Sequence, residues 1–224
     1  MRHLSDEQAS LVSRAVTEAE DRTSGEIVPV LADRSDGYTD VALWWALGLS
    51  FTVMSLFAAL PTALTGLLDT LSGGWMHDWT DGEILATLLA IGLVVFALGL
   101  LFQLFQPLKF ALVPAPVRSA RTRDAAIRHF KVGAERRTHG RTGVLLYVSM
   151  REHRAEIVAD ESIVAKVEAE VWGEAMADML SEIREGRLAE GLAAGIRDVG
   201  AVLAEHFPRD EHDENELPDR LIEV

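Results

Sequence analysis

Two long stretches without an ionisable side chain constrain this chain more than any other feature. Residues 41–68 and 84–105 contain no Asp, Glu, Lys, Arg or His. A helix rises about 1.5 Å per residue, so each stretch can cross the roughly 30 Å hydrocarbon core of a bilayer. The alternative, a pair of buried helices in a soluble domain, would be unusual in a chain of 224 residues. We therefore predict a transmembrane hairpin over residues 41–106, with spans at 41–68 and 84–105.

Basic residues near the spans predict how the hairpin is oriented, because Lys and Arg are retained on the cytoplasmic side. The connecting segment 69–83 has four acidic residues and no Lys or Arg, whereas the segment 109–141 has nine basic residues and two acidic ones. We expect a two-pass protein of the inner (cytoplasmic) membrane with both termini in the cytoplasm. The expected interfacial anchors are Trp44, Trp45, Trp75 and Trp79, and the basic residues expected to face lipid headgroups are Lys109, Arg118, Arg121 and Arg123.

Charge also bears on the partners of the chain. The formal net charge is −14, and the basic residues are concentrated beside the second span. Such a stretch is attracted to anionic headgroups, so we expect the lipid bilayer as its partner and no nucleic acid. A solvated helix face that only sets the topology is an open alternative. The sequence has no cysteine, which excludes disulfides, thiolate zinc sites and a cysteine nucleophile.

The remaining sequence predicts an α/β domain that the hairpin interrupts. A capping box at Ser5 and Gln8 starts an amphipathic helix, and a short strand follows at 26–31, where Pro29 favours a sheet edge or a bulge. After the hairpin come a helix from about 117 to 138, a strand hairpin at 144–150 and 155–159, and amphipathic helices at about 162–185 and 188–206. We therefore assign residues 1–40 and 107–207 to one domain, and 208–224 to an acidic flexible tail.

This order of elements resembles the TPM domain proteins, a family named from a thylakoid lumen protein, a photosystem II repair factor and a modulator of acetylcholine receptors. The matching stretches are TSGEIVPVLADRSDGY, GRTGVLLYVSMREHRAEIVAD and the helical block 167–207 with Gly186 and Gly191. The resemblance implies a small mixed sheet sandwiched by helices, here interrupted by a two-helix transmembrane hairpin. It also implies a role around membrane protein complexes and, for some relatives, an acid phosphatase activity or calcium binding.

Two departures from the family pattern concern its acidic sites. Arg141 and Thr142 replace the usual Asn-Asn before the strand glycine, and the glycine-rich acidic loop expected after the strand hairpin reads Ala-Asp-Glu-Ser at 159–162. Of the acidic residues associated with family sites, only Asp160 matches the pattern well.

If the first two strands are parallel, Glu26, Asp160 and Glu161 lie at one end of the sheet. Three carboxylates together could bind calcium or magnesium, which prefer oxygen ligands. The alternative is structural: Asp160 or Ser162 caps the next helix. At the opposite end we expect Asp33, Ser35 and Asp36 to lie together with Glu152 and His153. The first three faintly resemble a calcium loop, and an Asx-type turn explains them better.

The sequence thus favours a membrane-anchored TPM-like domain that serves as a non-catalytic accessory or quality-control factor for membrane proteins. Another membrane protein or complex is the expected partner, and a homo-oligomer is an open alternative. The alternative is a divalent-metal-dependent acid phosphatase, or a calcium-binding domain, with Glu26, Asp160 and Glu161 at its site.

Overall fold

The structure, a computed structural model, describes residues 3–73, 78–133, 142–209 and 217–224. The chain forms two compact units, an α/β unit made of residues 1–36 and 115–224 and a helical unit made of residues 37–114. The α/β unit contains helices α1 (Asp6–Glu20), α6 (Ala115–Gly133), α7 (Glu161–Val164), α8 (Ala169–Arg184) and α9 (Leu188–His206), and strands β1 (Glu26–Ala32), β2 (Gly143–Ser149), β3 (Arg154–Ala159) and β4 (Ile222–Glu223). The helical unit contains α2 (Thr39–Ala59), α3 (Pro61–Ser72), α4 (Asp81–Phe102) and α5 (Gln106–Ala111).

The four strands form one mixed sheet in the order β3-β2-β1-β4. β1 pairs in parallel with β2, with Glu26 opposite Gly143, and β2 pairs antiparallel with β3. All seven residues of β1 and all seven of β2 are buried. Strands buried on both faces are near-continuous apolar runs, which is why EIVPVLA and GVLLYVS show no polar alternation. The predicted mixed sheet between helices is confirmed.

Pro29 fits within β1 because of where its missing N–H would point. The N–H of Glu26 donates to Thr142 on the β2 side, so the odd-numbered residues of β1 face the other way. On that side β4 pairs only with Val30 and Leu31, beyond the proline. The predicted edge position is therefore correct for the first half of β1, where a proline removes no ladder hydrogen bond.

Helices cover both faces of the sheet. One face carries Ile27, Leu31 and Leu146 and packs against α1, α8 and α9, while the other carries Val30 and Tyr147 and packs against α6. Glycines allow α9 to lie close to its two helical neighbours. A Cβ added at Gly195 would lie 3.0 Å from the Cβ of Met179 in α8, and one added at Gly200 would lie 2.5 Å from the Cβ of Ala19 in α1.

The single helix predicted over 162–185 is wrong, because α7 ends at Val164 and α8 begins at Ala169. Ile163 and Val167 are both buried on either side of this break, and Glu168 has extended backbone angles (φ −69°, ψ 149°). Apolar spacing thus continues across the break, so periodicity alone does not detect it.

The flexible tail predicted over 208–224 is also wrong for its last eight residues. Leu217 is buried against the α6 face, and β4 extends the sheet. The backbone bonds run from Val224 N–H to the Leu31 carbonyl (3.0 Å) and from Asp33 N–H to the Val224 carbonyl (2.9 Å). The apolar contacts of Leu217 and Ile222, together with the pairing of β4 with β1, thus order this segment, although its acidic composition predicts disorder. Residues 210–216 lie outside the described residues.

The helical unit is built on the packing of α2 against α4. Ser50 Oγ donates to the Gly92 carbonyl (2.8 Å), and Gln103 Nε2 donates to the Ala42 carbonyl (2.9 Å). A Cβ added at Gly99 would lie 3.2 Å from the Cβ of Ala46, so the glycine allows this approach. The two helices are candidate membrane spans by length and composition.

The first predicted span, 41–68, is wrong in its end, because the range covers two separate helices, α2 and most of α3. α2 ends at Ala59, Leu60 leaves helical geometry (φ −125°, ψ 63°), and Pro61 starts α3. Proline has no N–H to continue the helical ladder and fits the first turn of a new helix. The second candidate span begins and ends three residues earlier than the predicted 84–105.

Candidate functional site

The start of β2 brings two of the three predicted carboxylates close to one glycine. Glu26 lies opposite Gly143 on β1, and Asp160 lies opposite it on the β3 side. Both carboxylates are buried, and strand alternation puts both on the α6 face. Asp160 Oδ2 accepts the Gly143 N–H (2.9 Å), while the Asp160 N–H donates to the Gly143 carbonyl (3.0 Å). Asp160 therefore holds the end of β3 against β2.

The third predicted carboxylate does not join them. Glu161 is exposed in the first turn of α7. Within the described ranges, no group of three His, Cys, Asp or Glu side chains is placed to hold a metal ion. The residues present thus do not fit a three-carboxylate calcium or magnesium site.

The structural alternative for Asp160 needs correction as well. Asp160 occupies the N-cap position of α7, yet its side chain makes no capping hydrogen bond. Its backbone carbonyl accepts from the N–H groups of Ile163 and Val164, and its carboxylate accepts the Gly143 N–H of β2 instead of capping α7. Arg141, which comes shortly before β2 in the sequence, lies outside the described residues.

The opposite end of the sheet contains a buried polar network centred on Glu152. This side chain is 1% exposed. One carboxylate oxygen accepts the Ser35 N–H (3.0 Å), and the other makes a short hydrogen bond with the Ser149 hydroxyl. Ser35 Oγ lies 3.2 Å from the Tyr147 hydroxyl and 3.4 Å from Thr122 Oγ1. The network fixes the segment after β1 against β2 and α6.

This network includes residues that the sequence did not single out. Burial raises the pKa of Tyr147, so the phenol stays protonated and remains a donor. His129 stacks on the Tyr147 ring at 5.6 Å, and burial, followed by the charge of Arg128, lowers its pKa. A signal was present in the sequence: a serine ends an apolar strand and a glutamate follows three residues later. Both oxygens of Glu152 are satisfied by hydrogen-bond donors, which indicates a structural brace.

The segment that faintly resembled a calcium loop does not gather its acids around one point. Arg151 Nε donates to Asp33 Oδ2 (3.1 Å), and Arg121 Nε lies 3.2 Å from Asp36 Oδ2. The Ser35 N–H donates to Glu152, and the Ser35 hydroxyl faces Tyr147 and Thr122. The two carboxylates are neutralised by different arginines, which makes a shared cation unnecessary.

Predicted membrane-contact residues occupy several environments. Trp44 is 73% exposed and Trp45 is 50% exposed, and the Trp45 indole N–H donates to the Leu112 carbonyl (3.1 Å). Trp79 donates to Asp69 (2.8 Å), and Trp75 lies outside the described residues. Of the basic residues, Lys109 is in α5, while Arg118, Arg121 and Arg123 are in α6. Contact of any of them with lipid remains a prediction.

Comparisons with known proteins agree with the architecture. Residues 116–202 match the family model of the TPM domain. The NMR structure of the BA42 protein from the psychrophilic bacterium Bizionia argentinensis is similar with a TM-score of 0.57 and 18% sequence identity, over 100% of this chain and 97% of that one. At this identity the likeness shows a shared fold. No curated protein matches significantly. The match of residues 116–202, from α6 to α9, shows that this part of the chain is similar to the TPM domain, and the whole chain shares its fold with BA42.

Proposed function

We propose that this protein is anchored in the cytoplasmic membrane by α2 and α4 and that its TPM domain is an accessory or quality-control module for other membrane proteins. The observation that carries the proposal is the exposed apolar surface of these two helices. Only 17% of the apolar stretch of α2 and 6% of that of α4 is buried. A core helix of a soluble protein would be mostly buried, and exposed patches of this extent mark an interaction with membrane or protein.

Several large side chains contribute to this surface. Phe51 is 64% exposed, Leu93 is 70% exposed and Phe102 is 69% exposed. Transfer of such a side chain from water into hydrocarbon stabilises the inserted state by about 1.5–3 kcal/mol. With no ionisable residue in residues 41–68 or 84–105, insertion requires no charge to be desolvated at the bilayer centre.

The orientation can be tested directly because the natural chain has no cysteine. Single cysteines replace Gly82, at the exposed start of α4, and Glu205, exposed in α9. A membrane-impermeant maleimide added to spheroplasts should label Gly82→Cys at once and Glu205→Cys only after the membrane is permeabilised. The opposite pattern would reverse the topology, and equal labelling in a soluble fraction would refute anchoring.

The accessory role needs a separate measurement. The full chain is purified from membranes after mild crosslinking, beside a variant whose residues 39–102 are replaced by an unrelated two-span hairpin. We expect membrane proteins to be recovered with both forms when the TPM domain makes the contact. Recovery of nothing above an empty-membrane control with either form contradicts the accessory role.

A metal-dependent phosphatase is the second candidate, favoured by the two buried carboxylates on either side of Gly143. It requires that Glu26 and Asp160 act without Glu161, which is exposed. The purified chain would then hydrolyse p-nitrophenyl phosphate in the presence of Mg²⁺ or Ca²⁺, and Asp160→Asn would abolish turnover while preserving the acceptor for the Gly143 N–H. Absence of turnover with either ion eliminates this candidate.

A further inference from the structure

The outer edge of the sheet carries backbone groups that can bond a further strand. The Asp160 N–H bonds the Gly143 carbonyl, and such bonded pairs occur at every second residue of an antiparallel ladder. Glu156 and Val158 are thus oriented towards β2, while Ala155, Ile157 and Ala159 turn their N–H and C=O groups outwards. Among the residues that the structure describes, none bonds these outward groups. An open strand edge of this kind is a template for an extended chain.

A groove of about 720 Å³ runs along this edge within the α/β unit. Ile157 and Ala159 form its strand side, and Val164, Trp172 and Met176 of the overhanging helices form its apolar side. Val164 is 61% exposed, and Trp172 and Met176 are only partly buried. The apolar side lies on the sheet face of α8, which is the face to which Ile157 directs its side chain.

The other sheet face has the opposite character at this edge. Arg123 of α6 and Arg154 of β3 lie beside Glu156, and both lower its pKa against the larger raising effect of burial. Neither arginine makes an ion pair within 4 Å in the described part of the chain. Two guanidinium groups beside the Glu156 carboxylate leave a net positive charge around this residue, away from the Asp160 end of β3.

We propose that the β3 edge binds an extended peptide segment of a partner protein by antiparallel strand addition, with alternating acidic and apolar side chains. In an added strand, successive side chains point to opposite faces. Acidic side chains then meet Arg123 and Arg154, and apolar side chains enter the groove beside Trp172 and Met176. Main-chain hydrogen bonds supply affinity and the alternating side chains supply specificity, as in other cases of strand addition.

Charge disfavours a second copy of this chain at the edge. Two β3 edges paired in antiparallel fashion would bring two net-positive Arg123–Arg154 clusters onto the same face. Like charges in close apposition destabilise an interface. The partner is therefore a chain of complementary charge. This inference concerns the α/β unit alone and does not depend on the membrane anchor.

The test uses the full chain in detergent and a fluorescein-labelled, acetylated heptapeptide that alternates glutamate and valine. We expect saturable binding by anisotropy, and slower amide exchange at Ile157 and Ala159 in the complex. A heptapeptide that alternates lysine and valine is the charge control. Arg123→Glu should weaken binding of the acidic peptide at least about tenfold, the scale expected for a close charge pair. Arg14→Glu, on an exposed position of α1, should leave it unchanged.

Backbone methylation of the peptide tests strand addition itself. Directly opposite residues of an antiparallel pair point their side chains to the same face, so the valines should carry the N–H groups that bond β3. N-methylation of the valines should abolish binding, while N-methylation of the glutamates should preserve it. The proposal is overturned if the peptide with N-methylated valines binds like the unmethylated peptide, or if the lysine peptide binds as tightly as the glutamate peptide. It is also overturned if Arg123→Glu has no effect or if peptide binding requires a dimer of this chain. Absence of any binding below about 1 mM refutes it as well.

Discussion

Glu20 makes the stability of the α/β unit depend on pH in the opposite direction to an ordinary surface carboxylate. Its Oε1 accepts the Ile27 N–H (2.8 Å) at the open start of β1. Burial is the main cause that raises its pKa, from 4.5 to about 9, and the neighbouring acids Glu26 and Asp219 raise it further. The proton is therefore retained in the folded state and released in the unfolded state across the neutral range.

The sign and size of the effect follow from this difference. The stabilising contribution of protonated Glu20 is complete below pH 4.5 and is lost as the pH rises towards about 9. At about 1.36 kcal/mol per pH unit, three units between pH 5 and pH 8 set an upper limit of about 4 kcal/mol. Because the side chain is partly exposed, we expect about 2 kcal/mol. Glu20→Gln removes the titration, and its amide can still accept from Ile27 and donate to Asp219.

The assay is amide hydrogen exchange of the full chain in detergent, read from peptides that contain β1 and corrected for the intrinsic pH dependence of exchange. In the natural protein the protection of β1 should fall between pH 5 and pH 8. Glu20→Gln should match it at pH 5 and exceed it at pH 8, whereas Glu18→Gln, on an exposed position of the same helix, should follow the natural protein. Parallel curves for all three proteins would refute the argument that Glu20 is protonated in the folded state.

Further changes test packing, the brace and the end of β3. Gly200→Ala places a Cβ 2.5 Å from that of Ala19 and should cost about 1–3 kcal/mol in chemical denaturation, while Gly173→Ala, with nothing within 4 Å of the added Cβ, should be neutral or stabilise by up to about 1 kcal/mol; equal effects would contradict the close approach of α9 to α1. Glu152→Ala leaves two buried donors without their acceptor and should cost about 2–4 kcal/mol, and a loss below about 0.5 kcal/mol would show that the network is not a brace. Asp160→Ala should increase amide exchange at Gly143, whereas Asp160→Asn should keep it slow; indistinguishable exchange in the two variants would refute the bond.

The sequence was sufficient for features that depend on local pattern. Ser5 and Gln8 form the predicted capping box, with bonds of 3.2 Å and 3.0 Å, and α9 has the predicted bounds of 188–206. In the helical unit, Gly92 and Gly99 allow α4 to pack closely against α2. Apolar periodicity and capping chemistry are encoded within a few residues, which is why these predictions hold.

Several features that depend on distant residues were not predicted. The strand at the end of the chain forms because β1 offers an open edge to Ile222, and no property of the acidic segment indicates that edge. The predicted metal site requires Glu161 to turn inwards, whereas the short helix α7 leaves it exposed. Ser35 and Glu152 were expected at the same end of the sheet, but the hydrogen bonds that join them to Ser149, Tyr147 and Thr122 were not predicted. Each of these outcomes was decided by tertiary contacts.

Because a helical unit is inserted between β1 and β2, the two paired strands are synthesised at well-separated times. β1 is complete at Ala32, but its parallel partner begins only at Gly143. At a synthesis rate of roughly 5–20 residues per second, the interval lasts on the order of 5–20 s. Throughout it, seven residues that are all buried in the final structure have no neighbouring strand. The nascent chain therefore carries an uncovered apolar strand until β2 has been synthesised, after the whole insertion and α6, and the sheet forms late in the synthesis of the chain.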